Sequence, residues 1–201
     1  MSTPSNFGNE GSKRDPSTYS QDVQFANVSA RVPEKVARGV FATGVLVLQG
    51  ASEFVLDFVL RMNQPHQLVA RVFLPFTLVP QLISTLNANL ENYRQKFGTT
   101  QLSLPMPAPQ ATPPTIEEIY QDLKISEDVM IGVYANSAMI VHTATEFGLE
   151  FICNSYPKAV IVARVFLSAP QVPVLLRSLT QSWQKYQNKL HPTQPPNPPP
   201  A

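Results

Sequence analysis

The chain has 201 residues, 15 Lys and Arg against 14 Asp and Glu, a formal charge of +1 and one cysteine, Cys153. That length supports one or two small domains, and the near-neutral balance argues against a strong generic nucleic-acid binder, which is normally clearly basic. A single cysteine excludes an intrachain disulfide and a cysteine zinc cluster.

Residues 1–22 are rich in Ser, Gly, Asn and charge and are expected to form a disordered tail. They hold no apolar signal core, and the longest apolar runs, such as 45–48, are far too short to cross a bilayer, so a cytoplasmic chain without a membrane span is expected. A first β-sheet/helix repeat is read over 23–98. It opens on a leading strand at 24–31 and continues through a fairly apolar strand at 40–48. In 53–61, Phe54, Leu56, Phe58 and Leu60 alternate with Glu53, Val55, Asp57 and Val59, the period of a strand. Turn residues at 49–51 and 63–66 connect these strands to Val69-Ala70-Arg71-Val72-Phe73-Leu74. A helix then starts near Leu78, with Leu82, Leu86, Leu90, Tyr93 and Phe97 on one face. Pro80 falls in its first turn, where the missing N–H costs little.

Residues 99–121 read as a Pro-rich linker, semi-extended around 104–109 and 113–114. The second repeat, 122–191, follows the same order: a leading strand at 122–125, strands at 133–142, 146–153 and 162–167, and a helix from near Ala169. Val172, Leu175, Leu179, Trp183, Tyr186 and Leu190 form its stripe, and Ser168 is its candidate N-cap. Residues 192–201 read as a mobile polyproline tail.

The two halves are copies. A shift of 93 maps Val69–Leu74 onto the identical Val162–Leu167, Glu53-Phe54 onto Glu146-Phe147, Gly39-Val40 onto Gly132-Val133, and Tyr93 onto Tyr186. Roughly a third of positions 33–98 are identical to their counterparts in 126–191. A unit of this size buries only a thin core alone. The expected fold is therefore α+β: two tandem repeats, each an antiparallel β-sheet followed by a C-terminal helix, packed as a pseudo-dimer.

The repeat is an internal comparison, and it keeps Arg71 and Arg164, an acid at Asp57 and Glu150, and Glu53 and Glu146. If the hairpin turns near Gln64, Asp57 faces Arg71 and Glu150 faces Arg164, a sheet-stabilising cross-strand pair. The functional alternative makes Arg71 and Arg164 an anion or interaction site, since the guanidinium fork suits carboxylate or phosphate. No phosphate-binding glycine loop accompanies them. Glu53 and Glu146 read as solvated or capping groups rather than an acid–base pair. His66, His142 and His191 lack metal-ligand spacing, so no metal or cofactor is expected. Cys153 reads as a buried structural thiol. Tyr93, Trp183 and Tyr186 are candidate interface residues, and the basic helix ends (Arg94, Lys96, Lys185 and Lys189) suit the helix dipole.

The stretches Gly132-Val133-Tyr134-Ala135-Asn136, Glu146-Phe147-Gly148-Leu149-Glu150-Phe151 and Val162–Ser168 together resemble a family of small bacterial proteins catalogued as a domain of unknown function. The family pattern is a Tyr-Ser/Ala-Asn turn, a Glu-Phe-x-Leu-Asp-Phe strand, an Arg-containing strand and a Ser-Pro helix start. The first copy carries Glu53–Phe58 and Tyr93, but has Phe41-Ala42-Thr43 at the turn and Pro75 at the helix start. The resemblance implies a compact, non-enzymatic unit that dimerises, here fused in tandem. It also implies a link to transcription, because some relatives are encoded beside RNA polymerase subunit genes.

These readings converge on a non-catalytic protein-interaction or assembly subunit that docks on a larger complex, with protein partners and a homo-oligomer among the expected assemblies. Two alternatives stand beside it. One is a transcription-associated accessory factor contacting RNA polymerase or nucleic acid. The other is a binder of small anions in the groove between repeats.

Overall fold

A computed structural model describes residues 30–99, 115–155 and 157–190. The expected tails, most of the linker and residues 24–29 of the first leading strand lie outside these. In chain order the elements are α1 (Glu34–Ala37), β1 (Val40–Ala42), β2 (Gly44–Gln49), β3 (Glu53–Leu60), β4 (His66–Pro75), α2 (Leu78–Phe97), α3 (Ile116–Gln121), β5 (Leu123–Lys124), α4 (Glu127–Ile131), β6 (Val133–Tyr134), β7 (Ser137–His142), β8 (Glu146–Cys153), β9 (Val160–Ser168) and α5 (Val172–Leu190). The fold is α+β with tandem, matching halves.

Each copy builds an antiparallel meander, β2–β3–β4 in the first and β7–β8–β9 in the second. The sheets themselves are mixed, which corrects the purely antiparallel expectation. β1 leaves its own copy and pairs in parallel with β9, Val40 opposite Val165. β6 pairs in parallel with β4, Val133 opposite Val72, the same register with the copies exchanged. The leading segments repeat the exchange: Arg31 bridges Val160, and Lys124 in β5 pairs with Gln67.

The single strands expected at 40–48 and 133–142 are each broken in two, because each half belongs to a different sheet. Polar residues hold both switch points. The Thr43 hydroxyl donates to the Val59 carbonyl and accepts from the Arg61 N–H at 2.8 Å. The Asn136 side chain accepts from the Asn154 N–H at 2.7 Å and donates to the Asn154 carbonyl at 3.0 Å. A strand cannot run straight where its hydrogen-bond ladder changes partner, and these side chains satisfy the backbone left over.

The helices cross over as well. α2 packs on β7 of the other copy, α5 on β2, and the two helices on each other. Their apolar stripes are buried at Leu82, Leu86 and Leu90 of α2 and at Val172, Leu175 and Leu179 of α5, while the expected last members, Phe97 and Leu190, are exposed at the helix ends. One core cluster takes residues from both copies, including Phe54, Leu56, Phe58, Phe147, Leu149 and Phe151. Phe58 meets its counterpart Phe151 with ring centroids 5.7 Å apart. Each fully buried phenylalanine contributes about 1.5–3 kcal/mol, and here that stabilisation depends on both halves being present.

Two local expectations change. Ser168 heads a 3-10 turn, Ala169–Gln171, and makes no side-chain cap bond. The end of the stretch read as a linker holds a helix, α3, closed by a capping box in which Thr115 accepts from the Glu118 N–H and Glu118 accepts from the Thr115 N–H.

Candidate functional site

The charges kept in both copies meet on the outer face of each sheet, opposite the long helices. Antiparallel register places Asp57 directly across from Arg71 and Glu150 across from Arg164. Arg71 donates from Nε to Asp57 Oδ1 at 2.8 Å and from Nη2 to Oδ2 at 2.6 Å, a two-pronged contact. Arg164 donates from Nε to Glu150 Oε1 at 2.8 Å, and its Nη2 stands 2.6 Å from the same oxygen as an ion pair. Each remaining Nη1 reaches across the copies to the end of a short helix: Arg164 to the Ala37 carbonyl at 2.7 Å, Arg71 to the Met130 carbonyl at 3.4 Å. The arginines thus tie the sheet of one copy to the chain of the other.

Two glycines make that approach possible. Gly39 and Gly132 follow the short helices with φ of +65° and +69°. A Cβ on Gly39 would stand 2.5 Å from the Phe166 ring and 3.1 Å from Arg164 Cγ; on Gly132 it would collide with the Phe73 ring and stand 2.8 Å from Arg71 Cγ. Only hydrogen fits between backbone and arginine stem, and the left-handed conformation favours glycine besides. Their identity in both copies was the sequence signal for this contact, and it went unread.

Tyr120 of α3 is a further participant that sequence reasoning missed. Its hydroxyl donates to Asp57 Oδ2, and its ring lies 5.9 Å from the Arg71 guanidinium carbon. Asp57 is thereby fully buried with every carboxylate oxygen engaged. Burial, and next the bond to Asp57, push the Tyr120 phenol up to about 12. Hydrogen bonding to Asp57 likewise holds the Arg71 guanidinium protonated well beyond its usual range. The signal that could have placed Tyr120 is the Thr115-x-x-Glu118 capping box just before it.

Between the copies runs a cleft of about 310 Å³. Both Arg71 and Arg164 line it, with Ala70 and Ala163 and the exposed Lys35 and Asp128. The anion-site residues therefore do share one cavity, but with their guanidinium donors already bonded to carboxylates and carbonyls.

The other candidates are dispersed. Tyr93 donates to the Ala144 carbonyl at 2.7 Å and packs on Phe147 of the other copy. Tyr186 stacks on Phe76 with centroids 4.1 Å apart, and Trp183 lies beside Phe54 and Tyr186. All three join one copy to the other within the chain. Glu53 and Glu146 are taken up by their own turns, by the Ser52 N–H and by the Thr143 and Thr145 hydroxyls. His66 sits beside the Asn63 carbonyl and His142 beside Asn89, while His191 lies outside the described residues. Cys153 is half-buried at the end of β8, where a buried thiol was expected. Among the described residues no three His, Cys, Asp or Glu side chains gather as metal ligands, and no helix is long and apolar enough to cross a membrane.

No curated protein matches the chain, and no solved structure does. One family model matches it twice, over residues 7–102 and 106–192, and is described as a protein of unknown function (DUF3467). With nearly the whole length matched in two successive units, the chain belongs to this uncharacterised family and carries two tandem copies of its domain.

Proposed function

We propose that the chain is a non-catalytic interaction subunit, a fused pseudo-dimer that docks on a larger macromolecular complex. One contrast carries the reading. The charged groups that could do chemistry, Arg71 and Arg164, are consumed in holding the copies together, while large apolar side chains stand in solvent at the end of α4 and on β6. Met130 is 54% exposed, Ile131 78% and Tyr134 50%. Contiguous exposed apolar groups beside a sheet edge suit a protein partner. Fusing two units fixes their stoichiometry and leaves the copies free to differ: Ala37 and Arg38 stand where Met130 and Ile131 stand in the second copy, while Phe41, 43% exposed, matches Tyr134. The aliphatic part of the docking surface is thus one-sided.

The test is an affinity pull-down of the tagged full chain from its own cell lysate, with and without nuclease, beside the variant Met130→Asp/Ile131→Asp. A stoichiometric partner that survives nuclease and is lost with the variant is expected. Recovery of polymerase or other nucleic-acid-bound proteins only without nuclease would move the reading to transcription. A partner retained by the variant would remove this surface from the argument.

A second reading, binding of a small anion, is favoured by the cleft that both arginines line. Thermal unfolding in the presence of inorganic phosphate or succinate tests it, and a saturable rise lost in Arg164→Gln would support it.

A further inference from the structure

The cleft between the copies is lined almost entirely in matched pairs. Of its fifteen lining residues all but Ser126 have their counterpart, 93 positions away, in the same lining, which makes seven pairs. Six of the seven are identical, where roughly a third of positions match across the repeats as a whole. The close approach of backbone to guanidinium stem accounts for the glycine and arginine pairs. It does not account for the valines: Val40 and Val133, and Val69 and Val162, are half-buried and line the cleft. The one pair that differs is Lys35 and Asp128, and it differs in the sign of its charge. Lys35 sits on α1, which packs on β9, and Asp128 on α4, which packs on β4. The two charges therefore rise from different walls. Both residues are exposed, and among the described residues neither forms a salt bridge, with the other or with any neighbour. Arg71 and Arg164 each hold a carboxylate already.

From this lining we infer that the cleft binds a small two-ended ligand: an apolar body with an anionic group at one end, held by Lys35, and a cationic group at the other, held by Asp128. The chemistry of the walls selects this class. The paired Val and Ala side chains offer an apolar bed, and in such sites a few convergent polar groups fix the orientation of the ligand. The volume of about 310 Å³ lies at the small end for ligand sites. A purely anionic ligand would leave Asp128 facing it with a like charge, and a purely cationic one would do the same to Lys35. The inference takes its cleft from the small-anion reading, but it moves recognition from the arginines to Lys35 and Asp128 and requires a cation that the other reading does not. An ω-amino acid, its carboxylate and ammonium separated by a methylene chain, has the required chemistry.

Isothermal titration calorimetry of the full chain with γ-aminobutyrate and ε-aminocaproate tests this, with caproate and hexylamine as one-ended controls. At least one ω-amino acid is expected to bind saturably, and each control about tenfold more weakly, the loss of one charge-assisted contact. Lys35→Ala and Asp128→Ala should each weaken the ω-amino acid about tenfold as well. Both side chains are exposed, so neither variant threatens the fold. The exchange Lys35→Asp/Asp128→Lys should restore the affinity, because the other pairs are identical and the ligand enters reversed. The absence of binding by both ω-amino acids would overturn the inference. So would single variants that bind as the unaltered chain does, or an exchange that binds no better than the single variants. Caproate bound as tightly as the ω-amino acids, and lost in Arg164→Gln rather than in Lys35→Ala, would overturn it and leave the small-anion reading in place.

Discussion

Removing the Asp57 carboxylate asks how much the paired charges contribute. Asp57 has no solvent exposure and the Arg71 side chain keeps 18% of its own. Asp57→Ala takes away both hydrogen bonds to Arg71 and the one from Tyr120, leaving the guanidinium under α4 with only neutral partners, the Met130 carbonyl and the Tyr120 hydroxyl. Breaking such a pair from one side costs about 3–5 kcal/mol, because the surviving charge stays desolvated without its partner. The second copy supplies an internal comparison. Glu150 and Arg164 keep 12% and 22% exposure, and water reaches them more readily. Glu150→Ala should therefore cost less, about 1.5–3 kcal/mol, the range of a charge-assisted hydrogen bond. The double variant Asp57→Leu/Arg71→Met removes both charges and should recover much of the loss, since apolar replacements of a buried pair are often near neutral. Urea unfolding followed by the single tryptophan, Trp183 in α5, measures all three variants at constant slope. A cost below about 1 kcal/mol for Asp57→Ala, the level of a solvated surface pair, would refute the argument that this face is closed.

Three further outcomes follow from the same geometry. Gly132→Ala combines a positive φ with a collision against Phe73 and Arg71, so about 1–2 kcal/mol of backbone strain adds to about 1–3 kcal/mol of overpacking; Gly98→Ala, at φ +85° with nothing within 4 Å, carries only the backbone cost, and equal losses in urea would contradict the close approach. The raised Tyr120 phenol means the fold favours its protonated form, so this contribution is fully present below pH about 10, the ordinary phenol value, and is lost as pH rises through about 12. Unfolding midpoints between pH 9 and 12 should thus fall more steeply in the unaltered chain than in Tyr120→Phe, and parallel slopes would exclude Tyr120 as the source. Finally, residues 115–191 expressed alone lack β1 to pair with β9 and β2 to receive α5. They should dimerise or aggregate in sedimentation, and a stable monomer would show that the core is not shared.

Much of this protein was legible before any coordinates. Local periodicity decides a strand or a helix, so Phe54, Leu56 and Phe58 announced β3 and its buried face, and Leu82, Leu86 and Leu90 announced the stripe of α2. The duplication was visible because both copies solve one packing problem with the same side chains. Even the Asp57–Arg71 and Glu150–Arg164 pairs could be placed, since antiparallel register follows from the hairpin between two readable strands. What the tertiary structure alone decided is which copy each element serves. Residues 40–42 and 44–49 look like one strand, yet β1 completes the other copy's sheet and β2 its own, and α2 and α5 each cover a strand from the other half. Apolar residues record that a face is buried, not what buries it, and in a duplicated chain the two available partners present nearly identical surfaces. Chain connectivity and close packing around Gly39 and Gly132 make that choice, and they act only once both copies are folded together.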